Sequence, residues 1–160
     1  MENKTRYCCR ENKINVRVRL VIIHNRKVLV QYRKKWNYYH YTGGHLEYGE
    51  TIKEACKRET REECGNDVNF DFKKILYIRD FIVPDENEHS VELFILGNIN
   101  KTEKLDGLKD PEHPDGLVWL TWLDIDSLPN NLLPRTLSSK LLTDFNNEFP
   151  KDGEYIGEIE

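Results

Sequence analysis

The sequence has no long apolar run: its longest uninterrupted hydrophobic stretches, such as Leu20–Ile23, fall far short of the roughly 20 residues that cross a bilayer. The N-terminus also lacks the apolar segment of a signal peptide, so a cytoplasmic protein with no membrane partner is expected. Nor is there a basic excess. Against 28 Asp and Glu stand 24 Lys and Arg, a formal net charge of -4. Broad nucleic-acid binding rests on a basic surface and is not expected here, whereas a small phosphorylated ligand stays compatible. Cysteine is scarce, with four residues of which Cys8 and Cys9 are adjacent. That arrangement is neither a spaced zinc pattern nor a disulfide framework, and it points to reduced thiols; it assigns no role to Cys8 and Cys9. Repeats, low-complexity tracts and linkers are missing too, which argues against a modular or disordered chain.

What is present is a chain of 160 residues with 38% hydrophobic and 32% charged side chains, enough for one domain with a substantial core. One domain over 1–160 is expected, its ordered part running from about 13 to 149, with Met1–Glu11 and Lys151–Glu160 loosely held. Val16, Val18 and Leu20 alternate before a continuous apolar run, so Ile14–His24 reads as a strand entering a covered sheet. Asn25-Arg26-Lys27 supplies a turn, and Val28–Tyr32 a second strand. Arg33–Thr42 reads as an aromatic and polar loop. Thr51–Cys64 is a helix that Thr51 caps and Gly65 ends. Val68–Phe81 and Val91–Ile99 read as strands around the loop Pro84–Glu88. Leu117–Leu123 is a further strand, and a last helix between Arg135 and Phe149 buries Leu137, Leu141, Leu142 and Phe145. Interleaved strands and helices predict an α/β fold with a mixed sheet covered by helices.

The helix carries the chemistry. With about 100° per residue and Glu59 at zero, Glu62 falls at about -60° and Glu63 at about +40°. Ile52, Ala55 and Cys56 share that arc at about +20°, -40° and +60°, while Lys53, Glu54, Lys57 and Arg61 lie opposite. A solvated acidic stripe would face away from Ile52, Ala55 and Cys56; here Glu59, Glu62 and Glu63 continue their line. Three converging carboxylates repel one another, and the C-terminal end of the helix dipole adds to that repulsion. A cation belongs among them. Hard oxygen donors suit Mg²⁺ or Mn²⁺, ions that bridge phosphate oxygens, neutralise developing charge and lower the pKa of an attacking water.

The segment GGHLEYGETIKEACKRETREECGN resembles the signature of the Nudix hydrolases, Gly-x5-Glu-x7-Arg-Glu-U-x-Glu-Glu-x-Gly-U, where U is a bulky apolar residue. Gly44, Glu50, Arg58, Glu59, Glu62, Glu63 and Gly65 match at the required spacing. Thr60 and Asn66 depart from it: Thr60 falls at the edge of the buried arc, and Val68 can take the apolar role of Asn66. The resemblance implies a Nudix-type α/β/α sandwich with a mixed sheet. It implies that Glu59, Glu62 and Glu63 hold the catalytic metals together with the carbonyl of Gly44, and that Arg58 orients carboxylates such as Glu50 and Glu59. It also implies a further acidic residue, metal ligand or general base, outside the signature. Glu112 is the choice here, with Asp115 and the loop Asp85–Glu88 as other sources.

The substrate side is less defined. Trp36, Tyr38, Tyr39 and Tyr41 can stack on a base or sugar, or anchor the loop; Arg33, Lys34 and Lys35 can meet phosphates, or only solvate it. Arg33, Trp36 and Tyr39 are taken as the substrate contacts. His40, His45, His89 and His113 form no zinc pattern. The expected reaction is metal-dependent hydrolysis of a nucleoside diphosphate linked to another group, such as ADP-ribose or a nucleotide sugar. A nucleoside triphosphate pyrophosphohydrolase is the alternative within the class. A non-catalytic nucleotide-sensing or protein-binding module, and a structural protein with an acidic helix, are the alternatives outside it. Trp36 and Trp122 leave a homodimer open.

Overall fold

Asn25 and Arg26 both adopt positive φ, 50° and 58°. Such a turn matches the right-handed twist of paired strands, and it folds β1 (Asn15–His24) back on β2 (Lys27–Arg33). The computed structural model describes residues 13–158. The pairing of β1 with β2 lasts for only two residue pairs, Ile23↔Val28 and His24↔Lys27. Beyond them β3 (Tyr38–Tyr41) takes the place of β1 beside β2. The strands part there, and backbone from Thr42 to Leu46 runs beside β1, with Val18 N–H bonded to the Gly44 carbonyl at 2.9 Å.

On its other edge β1 pairs in parallel with β5 (Glu88–Ile99) over the whole run Asn15↔Ser90 to Ile22↔Gly97. Parallel neighbours need a crossover, which here contains α1 (Ile52–Cys64) and β4 (Phe70–Val83). β4 and β5 are antiparallel around a 3-10 turn, Pro84–Glu86, closed by Asn87 in the left-handed region. The remaining elements are β6 (Val118–Asp124), β7 (Leu132–Leu133), α2 (Arg135–Asn146) and β8 (Glu154–Glu158). The sheet order is β7-β3-β2-β1-β5-β4-β8, with β6 on the second edge of β2.

Strand alternation assigns the two faces. Val18, Leu20 and Ile22 of β1, with Leu93 and Ile95 of β5, pack under Ala55, Cys56 and Cys64 of α1. Val21, Phe94 and Tyr77 on the opposite face pack with Leu137 and Leu141 of α2. This is the α/β/α sandwich with a mixed sheet that was expected. Trp122 packs partly buried against the core under α1, while Trp36 stays 57% exposed.

The aromatic segment assigned to a loop contains β3. Its four residues are all aromatic or histidine and carry no hydrophobic-polar contrast to mark a strand. The expected last ordered residue, near 149, falls before β8, which pairs in parallel with β4 from Tyr77↔Glu154 onward. A polar edge strand like β8 draws its order from the neighbour's backbone, so composition does not reveal it. The strands expected over Val68–Phe81 and Val91–Ile99 meet in a tighter hairpin, because β4 runs on to Val83 and β5 begins at Glu88. Cys8 and Cys9 lie outside the described residues. No described helix is long and apolar enough to cross a membrane.

Candidate active site

Local chemistry sets both ends of α1. Thr51 and Glu54 form a reciprocal cap, with Glu54 N–H on Thr51 Oγ1 at 3.3 Å and Thr51 N–H on Glu54 Oε2 at 2.7 Å. At the other end the N–H of Gly65 bonds the Arg61 carbonyl at 3.0 Å, with φ at 120°. The buried arc includes Ala55, Cys56, Glu59, Thr60, Glu63 and Cys64. It therefore extends further round the helix than Ile52, Ala55 and Cys56 alone suggested. Thr60, expected at its edge, is wholly buried, and its hydroxyl donates to the Cys56 carbonyl at 2.7 Å. Glu59 and Glu63 are each 8% exposed, whereas the Glu62 side chain is 43% exposed at the rim. Asn66 faces solvent, and Val68 is buried in its stead.

The paired glycines allow the loop to approach these carboxylates. A Cβ on Gly43 would lie 2.2 Å from the Val18 carbonyl oxygen, and its φ of +118° disfavours any side chain. Its N–H donates to Glu63 Oε2 at 3.0 Å. A Cβ on Gly44 would lie 2.6 Å from Glu59 Oε1. Glycine at this position leaves room in front of a carboxylate. The Gly44 carbonyl accepts from Val18 N–H and keeps one lone pair.

Arg58 ties the acidic groups together. Its Nε and Nη2 donate to Glu50 at 3.1 and 2.7 Å, and Nη2 also reaches the His45 carbonyl at 2.8 Å. Its Nη1 donates to both Glu59, at 2.7 Å, and Glu62, at 3.0 Å. The fork geometry of a guanidinium makes this set possible. Bonding to Arg58 lowers the Glu50 pKa, and the carboxylates raise that of Arg58. Glu59 moves the other way: burial raises its pKa despite Arg58. Burial, and then the charge of Glu59, lifts Glu63 well above the usual carboxylate range. Two neighbouring carboxylates are thus held out of water with insufficient positive charge, and their hard oxygens fit a divalent cation. Among the described residues, no three His, Cys, Asp or Glu groups already enclose an ion; Arg58 draws the oxygens of Glu50, Glu59 and Glu62 to itself.

Arg58, Glu59, Glu62 and Glu63 line a cleft of about 1110 Å³ together with Gly43 and Gly44. Glu112 and Asp110 extend the acidic lining. Asp110, which sequence reasoning did not select, is 7% exposed and accepts from Gln31 Nε2 at 2.9 Å and from the Glu112 N–H at 2.9 Å. Asp115 instead caps the Leu117 N–H at 2.9 Å and lies outside the cleft lining. In the loop Asp85–Glu88, Glu86 and Glu88 reach the cleft.

The same cleft is also lined by basic groups, Arg17, Arg19, Arg33 and Arg79. Buried Glu92 accepts from Arg19 at 2.8 and 2.9 Å through one oxygen and from Arg79 at 2.6 Å through the other. Burial would raise its pKa, but the two arginines outweigh that and lower it. Arg17 pairs with Glu88 at 3.2 Å and donates to His45 at 3.0 Å. Of these, only Arg33 was selected from the sequence. The signal for Arg17 and Arg19 was the alternation of β1 itself, which sets them on the face opposite Val16, Val18 and Leu20.

Tyr38, His40 and Tyr41 line the cleft, while Tyr39 packs against Tyr32 at 4.7 Å between ring centres. Trp36 lies outside the lining, under Lys35, whose Nζ is 5.0 Å from its ring centre. Lys34 and Lys35 are exposed and outside the cleft, His45 and His113 are in its wall, and His89 is not.

The sequence pattern of the NUDIX domain matches residues 14–144. Among solved structures, a NUDIX hydrolase from Nitrosomonas europaea superposes with a TM-score of 0.67 at 16% identity, covering 92% of this chain and 79% of that one. A MutT NUDIX hydrolase from Burkholderia pseudomallei gives 0.62 at 21% identity, covering 82% and 97%. An ADP-ribose pyrophosphatase from Streptococcus suis gives 0.61 at 16% identity, covering 91% and 100%. A match over most of the chain, on a fold with the same layers and with five of the seven signature residues, Gly44, Arg58, Glu59, Glu62 and Glu63, lining one cleft, leads to one assignment: this chain belongs to the Nudix hydrolase family.

Proposed function

We propose that the protein hydrolyses the diphosphate linkage of a nucleoside diphosphate joined to a second group, using Mg²⁺ or Mn²⁺. The observation that carries the reading is the meeting of both charges in one cleft, which Glu59, Glu62 and Glu63 line together with Arg17, Arg19, Arg33 and Arg79. A diphosphate bridged by cations to carboxylates, and by its free oxygens to guanidinium groups, matches that charge pattern. A bound divalent ion would neutralise phosphate charge and activate water.

Glu59, Glu62 and Glu63, with the remaining lone pair of the Gly44 carbonyl, are the proposed metal ligands. Arg58 holds Glu59 through Oε1 and Glu62 through Oε2 with one nitrogen, so the second oxygen of each carboxylate would be left to hold the ion. Glu112 is the proposed general base. Its backbone is fixed by Asp110, and among the described residues its own carboxylate accepts no hydrogen bond, which leaves it available to a water. The buried Asp110 carboxylate is already engaged at both oxygens and supports the loop.

ADP-ribose is the first member of the substrate class to test, since the fold is similar to that of an ADP-ribose pyrophosphatase from Streptococcus suis. A nucleoside triphosphate fits the same metal wall and is the competing substrate. The test is hydrolysis of a panel of nucleoside diphosphate derivatives and triphosphates with and without Mg²⁺, comparing wild type with Glu62→Gln and Glu112→Gln. Glu62→Gln is expected to lose turnover by about 10²-fold or more, because one charged ligand is removed. Glu112→Gln is expected to lower kcat by about 10²-fold with KM nearly constant, the signature of a lost base. Metal-independent turnover, or none with any member of the panel, overturns the reading. Unchanged kcat in Glu112→Gln removes that residue from the role.

A further inference from the structure

Arg33 makes no ion pair among the described residues, unlike Arg17 and Arg19, which line the same cleft. Its Nε instead donates to His40 Nε2 at 2.8 Å. The two residues lie diagonally across the β2–β3 ladder, where Gln31 faces His40 and Arg33 faces Tyr38. The other ring nitrogen, His40 Nδ1, is 2.9 Å from the Tyr41 carbonyl. A carbonyl only accepts, so Nδ1 carries the proton and Nε2 presents a lone pair. Burial, and then the nearby charges of Arg19 and Arg33, push the His40 pKa well below its ordinary value, consistent with a neutral ring.

A neutral acceptor differs from a carboxylate in one respect that matters here. Both fix the orientation of a guanidinium, but a carboxylate also cancels its charge. We infer that His40 is a positioning residue: its imidazole aims Arg33 into the cleft with the charge of Arg33 undiminished, so that Arg33 binds a phosphate oxygen of the substrate. The inference rests on the diphosphate reading above and adds to it the group that presents the cation. Tyr38, whose ring centre is 6.0 Å from that of His40, lines the same cleft.

The test uses three substitutions with the best substrate of the panel. H40E keeps an acceptor and adds a negative charge; KM is expected to rise about tenfold with kcat within about twofold. R33Q should match it, and the double variant R33Q/H40E should be no weaker than R33Q, since both act through one cation. H40Q offers a neutral acceptor and should recover most of the affinity lost in H40E. Competitive inhibition by inorganic pyrophosphate should weaken in step with KM. If H40E does not fold, H40L, which removes the acceptor without adding charge, carries the test with a KM raised about threefold at the same kcat. An unchanged KM in H40E, or in H40L where H40E does not fold, overturns the inference, as does a fall in kcat at constant KM. An H40Q as impaired as H40E does so too. Should wild type hydrolyse nothing in the panel, the proposed function fails on its own. Pyrophosphate binding measured by calorimetry without metal, wild type against R33Q and H40E, then still decides the role of His40: equal affinities reject it.

Discussion

Replacing Glu63 with glutamine is expected to make the metal-free protein more stable at neutral pH while lowering Mg²⁺-dependent turnover by about 10³-fold, equivalent to about 4 kcal/mol of transition-state stabilisation. Glu63 is 8% exposed, and its pKa is raised well above the ordinary value by burial and by Glu59. A carboxylate whose folded pKa exceeds its unfolded one is a liability when ionised. The penalty is complete above the folded pKa, shrinks as the pH falls through it, and vanishes below the unfolded pKa. Glutamine has no such charge and keeps an oxygen that accepts the Gly43 N–H. The gain at neutral pH is expected to be on the order of 1 kcal/mol or more, and it should close as the solution is acidified. Mg²⁺ should raise the melting temperature of wild type more than that of the variant, because a ligand stabilises only the state that binds it. Thermal melts across pH, with chelator and with Mg²⁺, read all three effects. A variant that melts below wild type in chelator at neutral pH, or that keeps a large part of the turnover, sinks the assignment of Glu63 as a buried ligand.

Arg58→Lys has the second large effect, and it acts on stability and activity together. The guanidinium reaches Glu50, Glu59, Glu62 and the His45 carbonyl at once, at 2.7 to 3.1 Å. An ammonium keeps the charge but has three donors at a single point, and it cannot hold Glu50 in a fork while bridging Glu59 to Glu62. Glu59, already raised by burial, then loses a partner that offsets it. A loss of about 2 kcal/mol is expected, below the full cost of breaking a buried pair because Glu62 and part of Arg58 face solvent. The kcat should fall about 10²-fold as the carboxylates lose their orientation. The check is urea denaturation, with a lower midpoint at the same slope, alongside kinetics at saturating Mg²⁺. Wild-type values in both would show that charge alone, without the fork, meets the need.

The legible part of the site was the part written in local periodicity. Thr51 and Gly65 mark the helix by capping, and the phase of Glu59 and Glu63 against Ala55 and Cys56 is a property of α1 itself. Even there the width of the buried arc was misjudged. The fully buried Thr60 and the rim position of Glu62 depend on which neighbours cover the helix, and α1 does not encode them. On the strands, the alternation of Val16, Val18 and Leu20 carries the information that Arg17 and Arg19 share the other face, although neither was selected from it. It did not say that this face forms a cleft wall, since strand periodicity is blind to what the sheet is packed against. For the same reason Tyr39 was preferred to Tyr38, which differs from it by one step of the pleat.

By itself, then, the sequence determined the helix, its ends, the glycine pair before it and the spacing of seven signature residues, because capping, φ preference and helical phase act over a few neighbouring residues. Tertiary structure alone decided the basic lining, the Asp110 support for Glu112 and the Arg33–His40 pair across β2 and β3. Glu92 meets Arg19 across 73 positions, and Asp110 meets Gln31 across 79. Such contacts arise from strand register and from the parting of β1 and β2, which no short window of sequence contains. The chemistry of the acidic helix is local, and the basic charge that shares its cleft is brought there by the fold.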